Sequence, residues 1–364
     1  MKSGLEDVIA AETVLSDVDG QAGRLVIRGH SLDDLVPQST VEDCVELLWN
    51  GFFGDFPQGE ALWKALGAAR LQVFEHVGAI DGALLRLSPV EALRALMARI
   101  PDGEDLQSAL LLLAAPAVFT PALLRLRRGE KPVRPDPDLS HSADILRMLN
   151  DREAEEPELA GLDTYLVTVS DHGLNASTFA ARVVASTRAG LTSSLLAALS
   201  ALKGPLHGGA PGPVLDMLDA IGTADNAETW LEASVTGGER LMGFGHRIYR
   251  VRDPRADALK GALKRMKNAQ RDGGKERLKL AETVENAAIA VLKRHKPDRT
   301  LETNVEFYTA LLLEELGFPR EAFTCVFAMG RAIGWTAHCR EQMAESRLIR
   351  PQSRYVGPKE KLAD

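Results

Sequence analysis

The sequence predicts a mainly α-helical protein with few short β-strands. Three observations carry this: apolar residues recur at helical spacing between capping and stop signals, period-2 alternation is scarce, and no internal repeat is visible. With 364 residues, 39.4 kDa and 45% hydrophobic content, the chain can bury a large core. At roughly 150 residues per domain it suggests about two domains.

In chain order, Gly23-Arg24-Leu25-Val26-Ile27-Arg28-Gly29 is the best candidate for a short strand. Ser39, with Glu42 three positions later, precedes Val41, Val45, Leu48 and Trp49, and Gly51 follows. This reads as a capping box, an apolar stripe and a C-terminal stop. Ala109 to Leu124 is the most apolar stretch, shorter than the ~18 residues of a membrane span and interrupted by Pro116 and Pro121. It reads as a buried, broken helix. The charge-rich stretches Asn150 to Pro157 and Lys264 to Lys279 read as solvated surface. Leu195, Leu196, Leu199 and Leu202 mark a helix ending at Gly204-Pro205, and Val305, Tyr308, Leu312 and Leu316 mark another stopping at Gly317.

Composition excludes several classes of function. Lys+Arg 43 against Asp+Glu 51 gives a net charge of −8, which argues against a dedicated nucleic-acid binder. Cys44, Cys325 and Cys339 are an odd number without a Cys-x-x-Cys pair, which argues against a disulfide framework or zinc knuckle and fits a reducing cytoplasm. The start has no apolar run behind a basic head, so a soluble, cytoplasmic protein is expected.

Chemistry concentrates in the second half. Gly204-Pro205-Leu206-His207-Gly208-Gly209 lets the main chain approach a ligand, and a following helix N-terminus would keep His207 a neutral hydrogen-bond donor. A structural turn is an equally good reading of that segment alone. Gly243-Phe244-Gly245-His246 opens a stretch, Arg240 to Lys267, with nine Lys/Arg against two Asp. This inversion of the overall charge suggests an anionic ligand, although an exposed basic helix is commoner. His172 precedes a capped helix starting near Thr178, and Glu306 lies at a helix start; alone, each reads as helix-end chemistry. Arg331 interrupts an apolar helix and would need an anion, whereas Arg350 lies near the C-terminus.

Six runs together resemble citrate synthase: Asp171-His172-Gly173-Leu174-Asn175-Ala176-Ser177-Thr178-Phe179, Gly204-Pro205-Leu206-His207-Gly208-Gly209-Ala210, Met242-Gly243-Phe244-Gly245-His246-Arg247, Asp253-Pro254-Arg255-Ala256, Asn304-Val305-Glu306-Phe307-Tyr308 and Arg347-Leu348-Ile349-Arg350-Pro351. They occur in the family's order. Arg24 to His30 and Leu47 to Gly51 resemble its N-terminal region, while about Phe53 to Leu162 matches only in helical character.

The resemblance implies a large helical domain, 1–208 and 318–364, and a small helical domain, 209–317, closing over the active site about a hinge at Gly208-Gly209. It implies condensation of acetyl-CoA with oxaloacetate and hydrolysis of citryl-CoA in the tricarboxylic acid cycle, with acetyl-CoA as substrate and no cofactor or metal. Glu306 would be the base, His207 the donor to the thioester carbonyl, and His246 the acid on the ketone. His172, Arg255, Arg331 and Arg350 would bind oxaloacetate, Arg350 from the other subunit of a homodimer, and Arg250 would lie near the CoA phosphates. The family's base is most often aspartate; a glutamate moves the carboxylate by about 1 Å or more. The chain also leaves no room for the N-terminal extension of the hexameric, NADH-inhibited form. The alternatives are 2-methylcitrate synthase, using propionyl-CoA, and a weak regulatory paralogue that binds CoA or organic acids. A metal enzyme built on His207, His246 and Glu306 is disfavoured because no short-range ligand pair is present.

Overall fold

The Phe323–Glu345 helix runs through the main helical body with nineteen of its 23 residues buried. A helix buried all round has neighbours on every side. Here they are the Val41–Trp49, Leu106–Arg127, Glu156–Val169, Ala176–Ala185 and Leu191–Leu202 helices. Gly330 and Gly334 permit the closest approach: a Cβ there would lie 2.7 Å from the Leu166 carbonyl oxygen and 2.3 Å from that of Ser170. The helix therefore presses directly on the segment leading to His172. The computed structural model describes residues 8–36, 38–207, 211–246, 248–269 and 275–358.

The expected fold class is the one observed, with sixteen α-helices and three short strands among the described residues. Strands β1 (Ser16–Asp19), β2 (Arg24–Ile27) and β3 (His30–Ser31) form one antiparallel sheet in that order, with Asp19 opposite Arg24 and Ile27 opposite His30. β2 is the strand the alternation predicts. β1 has no apolar pattern and is stabilised by pairing with β2.

Two local expectations are corrected. The first cap belongs to Thr40, not Ser39: its hydroxyl accepts from the Asp43 N–H and the Asp43 carboxylate accepts from the Thr40 N–H. Glu42 is buried instead, accepting the His141 N–H at 2.7 Å. The apolar stretch is also not broken; Leu106–Arg127 is one helix passing through Pro116 and Pro121. Each interior proline costs ~3 kcal/mol, and each fully buried leucine returns ~1.5–3 kcal/mol. Leu110, Leu112, Leu113 and Leu123 are all buried. This is the one described helix long and apolar enough to cross a membrane, and 89% of its apolar window is buried inside the protein.

A second group of helices packs together, with Glu306 on the last of them: Pro211–Ile221, Ala227–Thr236, Pro254–Ala269, Lys275–His295 and Val305–Glu315. Pro254–Ala269 touches both groups, lying against Glu156–Val169 on one side and Val305–Glu315 on the other. The expected hinge, Gly208-Gly209, lies outside the described residues.

Candidate active site

The site forms where three loop-to-helix junctions meet. Asn175 caps the Ala176–Ala185 helix through its side chain, accepting from the Ser177 and Thr178 N–H groups, and thereby holds the loop carrying His172. Asp253 sits before the Pro254–Ala269 helix and accepts from the Arg255 N–H at 3.1 Å. Asn304 caps the Val305–Glu315 helix through the Glu306 N–H and donates from its amide to the Gly245 carbonyl. A proline or asparagine at each junction is sequence-encoded local structure. The residues after each cap are delivered to a common centre.

His172, His246 and Tyr249 form an aromatic cluster, with His172 and His246 ring centres 5.6 Å apart and His246 and Tyr249 4.8 Å apart. His172 Nε2 lies 3.1 Å from the Tyr249 hydroxyl. Burial, then the charges of Arg255 and Arg331, push the His172 pKa well below its ordinary value, so the ring is neutral. His246 is likewise lowered to about 4 by burial and by Arg255. Its Nδ1 accepts the Ile248 and Tyr249 N–H groups, both at 3.1 Å. A neutral imidazole has one acceptor nitrogen, so the proton is on Nε2. Arg255 Nη2 stands 3.2 Å from that Nε2. Both groups are donors and cannot satisfy each other. An oxygen acceptor between them would satisfy both.

The two buried arginines are held differently. Arg255 is clamped by Asp253 in a two-pronged pair, Nε to Oδ1 at 3.0 Å and Nη2 to Oδ2 at 2.8 Å. Although burial opposes charge, Asp253 raises the Arg255 pKa above its ordinary value. Asp253 Oδ2 also accepts the Val305 N–H, which ties the arginine to the start of the Glu306 helix. Arg331 is 1% exposed, donates from Nε to the Val169 carbonyl, and stacks over Phe327 at 4.8 Å. Among the described residues no carboxylate lies within ion-pairing distance of it. Burial lowers its pKa to about 10, with the more distant Asp171 acting to keep it charged. A buried guanidinium without a direct carboxylate partner is a receptor for an anion.

Glu306 is half-buried at the second position of its helix. Desolvation raises its pKa to about 7, against the pull of Arg240 and Arg255. His207 Nε2 faces both the Ser177 hydroxyl, at 2.9 Å, and the Ser177 N–H, at 3.3 Å. A main-chain N–H only donates, so Nε2 accepts and the proton of the neutral ring is on Nδ1. Trp335 Nε1 donates to the same serine hydroxyl at 3.2 Å.

A sequence model described as "Citrate synthase, C-terminal domain" matches residues 4–352. The citrate synthase of Haloferax volcanii is 37% identical over 99% of this chain and 97% of its own length. Citrate synthase 2 of Bacillus subtilis is 34% identical over 98% and 95%. The chain belongs to the citrate synthase family. Among solved structures, citrate synthase from Thermotoga maritima superposes with a TM-score of 0.84 at 33% identity, covering 100% of this chain and 98% of that one. The Thermoplasma acidophilum citrate synthase, in a ternary complex with carboxymethyl coenzyme A and oxaloacetate, gives 0.85 at 28% identity and the same coverage.

Of the citrate synthase residues expected from sequence, the fold brings His172, His246, Arg255, Arg331 and Glu306 together, through contacts or mutual electrostatic influence. His207 joins them through Ser177, next to the Asn175 cap. Arg250 is exposed, its N–H bonded to the Gly20 carbonyl at the β1–β2 turn. Arg350 is exposed on the C-terminal tail, directly after Ile349, whose N–H bonds Ser186 at the far end of the Ala176–Ala185 helix. That helix is ~15 Å long, so Arg350 stands apart from its own chain's cluster. Tyr249 and Asp253 belong to the site, and sequence reasoning assigns neither a role. Both lie inside the charge-inverted segment, and Asp-Pro before a helix is a readable cap signal.

Proposed function

We propose that this member of the citrate synthase family condenses acetyl-CoA with oxaloacetate and hydrolyses citryl-CoA to citrate and CoA. The observation that carries the reading is the His246 Nε2–H and Arg255 Nη2 pair, two donors 3.2 Å apart, together with the buried Arg331 guanidinium, which has no carboxylate partner among the described residues. A keto dicarboxylate supplies what they lack, with a ketone oxygen for His246 and carboxylates for the guanidinium groups. His172 would orient the bound dianion from beneath Tyr249.

Glu306 is the base that removes the methyl proton of the thioester. A carboxylate with pKa near 7 is better matched to a weak carbon acid than one near its ordinary value. His207, neutral and protonated on Nδ1, donates to the developing enolate oxygen. The enolate attacks the ketone carbon while His246 Nε2–H protonates the alkoxide. Water then cleaves the thioester. Glu306 stands where the family's usual aspartate would, two residues after the Asn304 cap, with one more methylene in its side chain.

The assembly and location follow the same reading. The chain works as a homodimer in the cytoplasm, within the tricarboxylic acid cycle. Residues 209–317 close as a small domain on 1–208 and 318–364. Arg350 reaches the oxaloacetate site of a second copy, and Arg250 meets the CoA phosphates. The exposed position of Arg350, on a tail with Leu348, Tyr355 and Val356 also exposed, supports a role across an interface.

The test is release of free CoA thiol by purified protein given oxaloacetate with acetyl-CoA or propionyl-CoA. Strong release with acetyl-CoA is the expected result. A kcat/KM preference for propionyl-CoA would move the assignment to 2-methylcitrate synthase. Binding of oxaloacetate without release from either thioester would overturn the enzymatic reading.

A further inference from the structure

A buried polar chain runs from the Phe323–Glu345 helix to the residue before His172. Arg182 Nη1 donates to His338 Nδ1 at 3.0 Å and pairs with Glu341, while its Nε donates to Gln342 at 2.9 Å. Because a guanidinium only donates, His338 Nδ1 accepts and its proton is on Nε2. Nε2–H then donates to Asp171 Oδ1 at 3.1 Å. The other oxygen of Asp171 accepts from the Ser16 hydroxyl of β1, whose oxygen in turn accepts the Gly173 N–H at 2.9 Å. Arg182, His338 and Asp171 are all fully buried.

Asp171 is the carboxylate whose charge acts most strongly on Arg331, and each group's charge favours the ionised form of the other. Yet they form no direct ion pair. A carboxylate that turned onto Arg331 would occupy the guanidinium that oxaloacetate needs, giving an internal competitor of the substrate. His338 and Ser16 each hold one oxygen of Asp171 and so prevent this.

We propose that His338 is a positioning residue for oxaloacetate, its Nε2–H holding Asp171 close enough to balance Arg331 but off its donor face. The proposal rests on the reading of Arg331 as an oxaloacetate ligand. No part of it requires His338 to touch substrate, so the effect must appear through Asp171.

Two substitutions separate this from a packing role. In His338→Gln the side-chain amide reaches the Nε2 position and still donates to Asp171. In His338→Asn the oxygen replaces Nδ1 toward Arg182, but nothing reaches Asp171. The measurements are KM and kcat for each substrate, oxaloacetate binding by calorimetry, and thermal melting. His338→Asn is expected to raise oxaloacetate KM and Kd about ten-fold or more, with kcat and acetyl-CoA KM within about two-fold, whereas His338→Gln stays near wild type. In an Asp171→Asn background, adding His338→Asn should change oxaloacetate Kd by less than about two-fold, because an amide cannot compete for Arg331 as a carboxylate does.

Equal oxaloacetate Kd in His338→Asn and His338→Gln would overturn the proposal, as would undiminished effects in the Asp171→Asn background. If His338→Asn does not fold, the Asp171→Asn pair still decides, with His338→Gln as the comparison on that background: a changed Kd there refutes action through Asp171. Wild-type protein that binds no oxaloacetate would instead remove the functional reading itself.

Discussion

Asp253→Asn tests the hub that joins the anion-binding and base-bearing segments. Asp253 is 1% exposed, and its Oδ2 accepts from both Arg255 Nη2 at 2.8 Å and the Val305 N–H at 3.2 Å. Oδ1 serves the Arg255 N–H and Nε. An asparagine that keeps its oxygen at Oδ1 places an NH2 against two donors. Breaking one side of a buried ion pair costs ~3–5 kcal/mol, and a hydrogen bond to a charged group contributes ~1.5–3 kcal/mol. The variant should therefore melt several degrees lower. Its oxaloacetate KM should rise by about a hundred-fold, the order expected when a binding group is misplaced by ~1 Å. Asp253 also raises the Glu306 pKa, and Arg255 lowers it. Loss of the Asp253 charge must move the Glu306 pKa down, so the acid limb of kcat/KM shifts to lower pH. Melting curves and kcat/KM between pH ~5.5 and ~9 measure all three effects. A folded variant with wild-type oxaloacetate KM, or an acid limb moved upward, would refute the hub.

Four further outcomes follow. Glu306→Gln should abolish condensation while oxaloacetate binding measured by calorimetry stays largely intact; full activity would remove Glu306 from the mechanism. In the wild type, kcat/KM should rise with pH up to about 7, where the Glu306 carboxyl loses its proton, and level off above. Asp163 is half-buried, and desolvation, opposed by the Ser142 hydroxyl and aided by the Glu42 charge, raises its pKa to about 7 from 3.8. Because the folded state holds this proton more tightly, its contribution is complete below pH ~4 and is lost as pH rises to about 7, on the order of a few kcal/mol in all. Asp163→Asn keeps the acceptor that serves both Ser142 and Val41, so it should raise the melting temperature at pH ~8 and flatten that pH dependence in thermal melts. Gly334→Ala places a Cβ 2.3 Å from the Ser170 carbonyl oxygen and should weaken oxaloacetate binding together with stability, read by calorimetry and melting.

The helices and most of the candidate site are legible in the sequence because their signals are local. Stripes, caps and glycine stops each span one or two turns, and six ordered motifs gather His172, His207, His246, Arg255 and Glu306 into one group. What escapes depends on which helices pass one another. The first cap moves from Ser39 to Thr40 because Glu42 is engaged by His141, 99 residues away. The proline-bearing helix remains unbroken because its leucines are buried by helices that no window around Pro116 includes. Tyr249 acquires its role from His172, 77 residues before it. Arg331 and His338 show the distinction within one helix. A charge in an apolar run is anomalous on its own, so the sequence around Arg331 is enough to call for an anion. His338, in Trp335-Thr336-Ala337-His338-Cys339, is a neutral side chain in a plausible core context. Only the passage of Asp171 beside it, 167 residues distant in sequence, turns that histidine into a restraint on the oxaloacetate site.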